Sequence, residues 1–307
     1  MPRTRNWNVA LVGAGAVGKS LGRVLSDEGV RIAAVIARTE RSARKGARFV
    51  GSPLASTRLE DIPPDAGLVL LAVPHGAVKD VALSLSRLKG WSWRGKAVCH
   101  ASGMLSARVL EPLRRKGALT FSFHPLQTFP RDYPPARLLP SVRGICYGVD
   151  GSPAALRAAR SLARKLKGRA VPIPPSTRVF YHAACVAASG HLAALLGVLD
   201  EMHSRFGPRG GHFMEMFGPI LRATLENTRA GSPSEALTGP VARGGTATVR
   251  DHLSSVRRFA PPLLPYYRMM TLQSAALARR KGAISARKEA GFRKLVHSFR
   301  SSYREFM

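Results

Sequence analysis

The sequence predicts an α/β protein in which an N-terminal doubly wound, parallel-sheet domain is followed by an all-α C-terminal domain. Short apolar runs alternate with helical patterns over the first half of the chain, and a glycine-rich turn follows the first of them. After the prolines at 172, 174 and 175 strand-like runs almost vanish. The natural cut is therefore near Pro174, giving domains of residues 1–174 and 175–307. A chain of 307 residues is long enough to build two cores.

The elements follow in order. Asn8 to Gly13 is a short apolar run ending in glycine, the expected form of a buried parallel strand, and a helical pattern continues through Leu21, Val24 and Leu25. Further strands are expected at Arg31 to Ala37, Ala66 to Val73, Lys96 to His100 and Ala118 to His124, with a helical run from Ser106 to Lys116. Gly144 to Val149 and Arg169 to Ile173 read as strands around a helix from Pro153 to Leu166 that has proline at its start. Thr177 to Phe206 reads as one long helix, apolar nearly all round, which predicts burial between layers or at a subunit interface. Helices are also expected at Gly211 to Arg229, Thr246 to Phe259, Pro262 to Arg280 and Ser285 to Tyr303.

The apolar fraction of 45% is that of an ordinary globular chain. No uninterrupted apolar stretch of membrane-spanning length and no signal-peptide core is read from the residues, so a cytoplasmic protein without a membrane partner is expected. Cys99, Cys146 and Cys185 are widely spaced in apolar runs, which predicts buried thiols and neither a disulfide framework nor a metal site. The formal charge of +30 favours anionic ligands. No nucleic-acid-binding motif accompanies it, so nucleic acid is not the expected partner.

Gly13-x-Gly15-x-x-Gly18 lies between a predicted strand and a predicted helix, the context that gives the pattern meaning. Gly13 permits the tight turn, Gly15 lets a pyrophosphate approach the main chain, and Gly18 lets helix and strand pack. Ala16 and Val17 would offer backbone N–H groups at the helix N-terminus. A site for NAD usually has an acidic residue about 20 residues on. Here the second strand ends in Ala37-Arg38-Thr39-Glu40-Arg41. Arg38, with Thr39 and Arg41 as helpers, suits the 2′-phosphate of NADP(H). Val73, Pro74 and His75 end the third expected strand where it meets the cofactor crevice, and Ser102 with Gly103 ends the next.

Four further segments carry a resemblance: His100-Ala101-Ser102-Gly103, His124 to Phe129, Tyr181-His182-Ala183-Ala184, and Ala236 to Thr246. With the glycine motif they make the chain similar, over almost its whole length, to the bacterial proteins that join a Rossmann-like domain to a DUF2520 domain. That family resembles pyrroline-5-carboxylate reductase and the 6-phosphogluconate dehydrogenase-like superfamily. The resemblance implies a nicotinamide cofactor, a reductase acting on a C=N or C=O bond, a helical domain like the 6-phosphogluconate dehydrogenase C-terminal domain, and a homodimer.

Hydride transfer needs a group to satisfy developing charge, and histidine suits proton donation near neutrality. His182 is the first candidate, on the long apolar helix near the expected interdomain cleft, with Ser189 on the same face; a structural buried histidine is the competing account. His124, held extended by Pro125, suits a contact to substrate or nicotinamide, or a bond to a neighbouring loop. Arg243 suits a substrate carboxylate, and Thr246 is either a polar contact or the N-cap of the next helix. These features fit an NADP(H)-dependent oxidoreductase acting on a small anionic keto or imino acid. They also fit a non-catalytic NADP-binding sensor or scaffold, and the charge leaves open a basic nucleic-acid-binding protein.

Overall fold

The computed structural model describes residues 7–130, 134–208 and 211–299. The chain divides into two compact units, 1–190 and 191–307. The first extends past Pro174, because the helix beginning at Arg178 is tied into it by a buried ion pair described below.

The first unit is built on one eight-stranded sheet. Its elements are β1 (Val9–Val12), α1 (Ala16–Asp27), β2 (Ile32–Ile36), α2 (Glu40–Val50), β3 (Ala55–Ser56), β4 (Leu68–Leu71), α3 (Val78–Ser86) and β5 (Ala97–His100). These are followed by α4 (Glu111–Arg115), β6 (Leu119–Pro125), α5 (Pro135–Val142), β7 (Cys146–Gly151), α6 (Pro153–Lys165), β8 (Arg169–Pro172) and α7 (Arg178–Val186). The strand order is β3-β2-β1-β4-β5-β6-β7-β8.

Both faces of the sheet are covered, which is why its strands read as unbroken apolar runs. Alternate residues go to opposite cores. Val9, Leu11, Leu68, Leu70, Phe121 and Phe123 pack with α1 and α6 on one face. Ala10, Val12, Val69 and Leu71 pack with Val78, Ala82 and Leu85 of α3 on the other.

One pairing departs from the expected parallel sheet: β7 runs antiparallel to β6. Leu126 donates its N–H to the Cys146 carbonyl, so the connection carrying α5 returns at the sheet end where β6 stops. α6 then crosses the face, and β8 is parallel to β7 again. In this unit the two-residue β3 and the helices α2, α3 and α5 lie in stretches where no element was named from the sequence. The expected helix from Ser106 becomes a 3₁₀ turn, Ala107–Leu110, and the short α4.

The expected single helix over 177–206 is α7, a π-turn at Ala187–His191, and α8 (Leu192–His203). At the turn the Ser189 hydroxyl donates to the Cys185 carbonyl, a local competitor to the helical ladder. The run is not buried within the chain: Val179 is 66% and Phe180 78% exposed. Its most apolar window has a mean hydropathy of 1.6, so by length and composition it is a helix that could cross a membrane.

The second unit continues with α9 (Phe213–Ala230), α10 (Pro233–Ala236), α11 (Thr246–Phe259), α12 (Leu264–Arg280) and α13 (Ala286–Ser298). Its core joins Val249, Leu253 and Val256 of α11 to Ala275 and Ala278 of α12 and Phe292 and Val296 of α13. The far end of the helix expected to reach Tyr303 lies outside the described residues.

Candidate nucleotide and reaction sites

Parallel strands deliver their C-terminal loops to one sheet edge, and the candidate residues follow that edge in order. The register aligns Ile36, Val12, Leu71, His100 and Ser122 across five strands. The loops after β2, β1, β4 and β5 therefore lie side by side, and they carry Arg38, Gly13, Pro74 and Ser102.

A cavity of about 570 Å³ opens at the ends of β1, β2 and β4, and Gly13, Gly15, Arg38, Thr39, Val73 and Pro74 line it. Gly13 has φ +108°, and a Cβ there would collide with the Ala72 carbonyl. A Cβ on Gly18 would strike the Gly13 carbonyl, whereas one on Gly15 would meet nothing within 4 Å. The turn is thus closed on its packing side and open on its ligand side. Gly15 is the N-cap of α1 with no side-chain cap, which leaves the N–H groups of Ala16 and Val17 at the helix start for an anion.

Arg38 is exposed and, among the described residues, has no ion-pair partner. Thr39 lines the cavity but also caps α2, accepting from the Ser42 N–H. Arg41 sits in the first turn of α2 and is not among the lining residues; Ser42 and Thr57 are, and sequence reasoning passed over both. Glu40 is held by Arg44 at 2.8 Å, one turn along the helix. His75 opens a 3₁₀ turn, exposed and outside the cavity wall.

A second cavity of about 290 Å³ lies at the end of β6, lined by His124, Gln127, Thr128, His182, Cys185 and Ser189. His124 and His182 are brought together with ring centres 6.1 Å apart. Both press on Gly103, where a Cβ would stand 2.6 Å from His182 Cδ2 and 2.7 Å from His124 Nε2. Gly103→Ala is therefore expected to displace both imidazoles and to lower the melting temperature, with shifted histidine NMR resonances marking the displacement. Ser102 uses its hydroxyl locally, accepting from the Leu105 N–H.

Beneath this cavity is a network that sequence reasoning missed. Arg178, 1% exposed, stands 3.0 Å from the Asp150 carboxylate. It also donates to the carbonyls of Gly103 (3.1 Å), Ser102 (3.4 Å) and Gly148 (3.2 Å). Asp150 accepts in addition from the Ala107 N–H and the Ser122 hydroxyl, both at 2.7 Å. Burial, reinforced by the Arg178 charge, lowers His100 to about 4. The same causes, with the nearby His182 and His100, lower His124 to about 4. Both rings are neutral at pH 7. The Tyr181 hydroxyl lies 2.9 Å from His124 Nδ1, and burial holds that phenol protonated.

Arg243 and Thr246 belong to the second unit. Arg243 is exposed in the turn before α11. Thr246 is the first residue of α11 rather than its N-cap; Gly245 takes that place and carries no side-chain cap. A cavity of about 240 Å³ in this unit is lined by Thr238, Val241, His252 and Tyr267, with the Tyr267 hydroxyl 2.9 Å from His252 Nδ1.

Comparison with known proteins agrees with this architecture. Residues 2–125 match the Rossmann-like domain, and residues 145–274 match the domain of unknown function DUF2520. A candidate NADP oxidoreductase from Bacteroides fragilis is similar in structure at 21% identity, over 89% of this chain and 100% of its own, with a TM-score of 0.70. A reductive aminase from Aspergillus terreus in complex with NADPH and ethyl-5-oxohexanoate is similar at 16% identity, over 98% and 95%, with a TM-score of 0.55. A pyrroline-5-carboxylate reductase from Coxiella burnetii is similar at 14% identity, over 97% and 100%, with a TM-score of 0.56. No curated protein matches the chain. The chain thus carries a Rossmann-like domain over residues 2–125, with the glycine cradle and sheet order described above, and a DUF2520 domain over residues 145–274.

Proposed function

We propose that this protein is an NADP(H)-dependent oxidoreductase that transfers hydride to or from the C=N or C=O carbon of a small keto or imino acid. The observation that carries the proposal is the presence of two cavities along one sheet edge of the first unit, one lined by the glycine turn and Arg38, the other by His124 and His182. The first fits a dinucleotide. Its turn is open at Gly15, helix N–H groups face the pyrophosphate position, and no carboxylate lines the wall to repel a 2′-phosphate. When bound, the nicotinamide supplies the hydride. Val73, Pro74 and Ser102, with His75 just outside the cavity wall, would hold its reacting half, and His124 and His182 would orient the substrate and answer the charge that develops on it.

In the second unit Arg243 and Thr246 are proposed as anion-binding residues on their chemistry alone, a guanidinium and a hydroxyl. The charge of +30 draws anionic substrates toward the protein. The proposal extends to a cytoplasmic homodimer in which a second copy covers Val179, Phe180 and Val186 of α7, a reading supported by their exposure. Sedimentation at micromolar concentration is expected to give a dimer; a monomer that binds lipid vesicles would instead mark this helix as a membrane contact.

Fluorescence titration tests the cofactor. NADPH is expected to bind at least tenfold more tightly than NADH, and Arg38→Ala to remove the preference, because a charged hydrogen bond is worth about 1.5–3 kcal/mol. Binding of neither nucleotide would overturn the proposal. Steeply salt-dependent binding to nucleic acid in its place would point to the charge as the functional feature.

A further inference from the structure

We infer that Tyr181 is a positioning residue of the reaction site: its hydroxyl holds His124 by Nδ1, so that the Nε2–H of that ring meets the charge developing on the substrate's oxygen or nitrogen. The inference rests on the oxidoreductase assignment above and names the group that hydrogen-bonds the heteroatom onto which the electron pair is displaced.

The geometry is specific. Tyr181 meets the His124 ring edge-on, with planes at 89° and the hydroxyl 2.9 Å from Nδ1. A Cβ on Gly148 would occupy the place of that hydroxyl, so β7 passes under the phenol only because this residue has no side chain. Arg178 lies over the other part of the tyrosine ring, 5.6 Å from its centre. The phenol is thus fixed from the sheet side and by the buried cation.

In the inferred arrangement the protonated phenol, whose other hydrogen-bond partner is the Cys185 side chain, donates to Nδ1. The single ring proton of a neutral imidazole then sits on Nε2. Among the described residues Nε2 has no hydrogen-bond partner; it lies over Gly103 on a ring that lines the cavity. His124 is faced by Arg178, whose positive charge opposes a second proton on the ring, and by His182 and the neutral His100, while Asp150 is engaged by Arg178. The ring therefore works as a neutral hydrogen-bond donor and not as an imidazolium acid. As hydride adds to the substrate carbon, the π pair moves to the heteroatom and Nε2–H bonds it. Water then supplies the proton that completes the alcohol or amine, and His124 neither gains nor loses one.

The test is ¹⁵N NMR of the histidine side chains in the full-length protein, with His124→Asn to assign the resonances and NADPH titration run in parallel. In the wild type at pH 7, His124 is expected to be neutral and protonated on Nε2. In Tyr181→Phe, which keeps the ring and so the packing, the Nε2–H preference is expected to be lost and the titration midpoint to move upward. NADPH affinity is expected to stay within about twofold of the wild type. A wild-type Nδ1–H tautomer, an imidazolium at pH 7, or a tautomer unchanged in Tyr181→Phe would overturn the inference and leave the oxidoreductase assignment standing. Failure of the wild type to bind NADPH would overturn both.

Discussion

Arg178→Met is expected to lower the unfolding free energy by about 3–5 kcal/mol, the usual effect of removing one partner from a buried ion pair. The reason is what remains behind. Asp150, 5% exposed, would keep its bonds from Ala107 and Ser122 but lose the only cation within ion-pair distance among the described residues. The carbonyls of Ser102, Gly103 and Gly148 would lose their donor together. Arg178→Lys is not a conservative repair, because one ammonium cannot reach four acceptors arranged around a planar fork. Urea unfolding of Arg178→Met and of the double variant Arg178→Met/Asp150→Asn separates the two contributions. The double variant is expected to recover part of the loss by removing the bare charge; a single-variant loss under 1 kcal/mol would show that the pair is dispensable.

Acidification is expected to have a comparable effect. His100 and His124 are each lowered from 6.5 to about 4, so the unfolded chain binds more protons than the folded one between those values. Stability is then fully present above about pH 6.5 and is lost as pH falls toward 4, by about 3 kcal/mol for each ring at 1.36 kcal/mol per pH unit. His100 makes this concrete: its Nε2 lies 3.2 Å from the Ser106 carbonyl and carries the ring proton, leaving Nδ1 buried without a partner for a second. Chemical denaturation at pH 7, 6 and 5 checks the slope. His100→Asn is expected to flatten it; an unchanged slope in both His100→Asn and His124→Asn would assign the acid sensitivity elsewhere.

The nucleotide half of this architecture was legible because backbone geometry leaves a strong trace in sequence. Gly13, Gly15 and Gly18 have to be glycines for reasons that can be stated before a structure exists, and strands buried on both faces have to be apolar throughout. Strand direction leaves no such trace. The run Cys146–Gly151 is equally apolar whichever way it points, so the antiparallel β7 was not predicted. The short β3 and α5 are likewise held by their neighbours more than by their own residue pattern.

The reaction site was legible only in part. His124 and His182 stand out because each lies in a conspicuous setting, His124 before Pro125 at a strand end and His182 on a long apolar helix. Arg178 is one of 48 basic residues and opens a helix dominated by apolar side chains, so nothing in the pattern marks it as buried. Asp150 held the better clue, a carboxylate closing an apolar strand in a chain with only 18 acids. Tyr181 sits in a segment singled out for its neighbour His182, and its role needed the facing Gly148 to be seen.

The arginine at the start of α7 also sets an order of assembly. Its acceptors lie 28 to 76 residues earlier in the chain, in β7 and in the loop after β5, whose strands can pair into a sheet before Arg178 is synthesised. Until it arrives, the ends of β5 and β7 hold carbonyls and a carboxylate with no cation to close on, and contacts of such sequence separation form late. A fragment ending at Pro174 would therefore keep the nucleotide turn yet stop short of the residue that locks the far side of the sheet. On the ribosome, the nucleotide cradle can form first, and the reaction cavity has to wait for the next few residues to emerge.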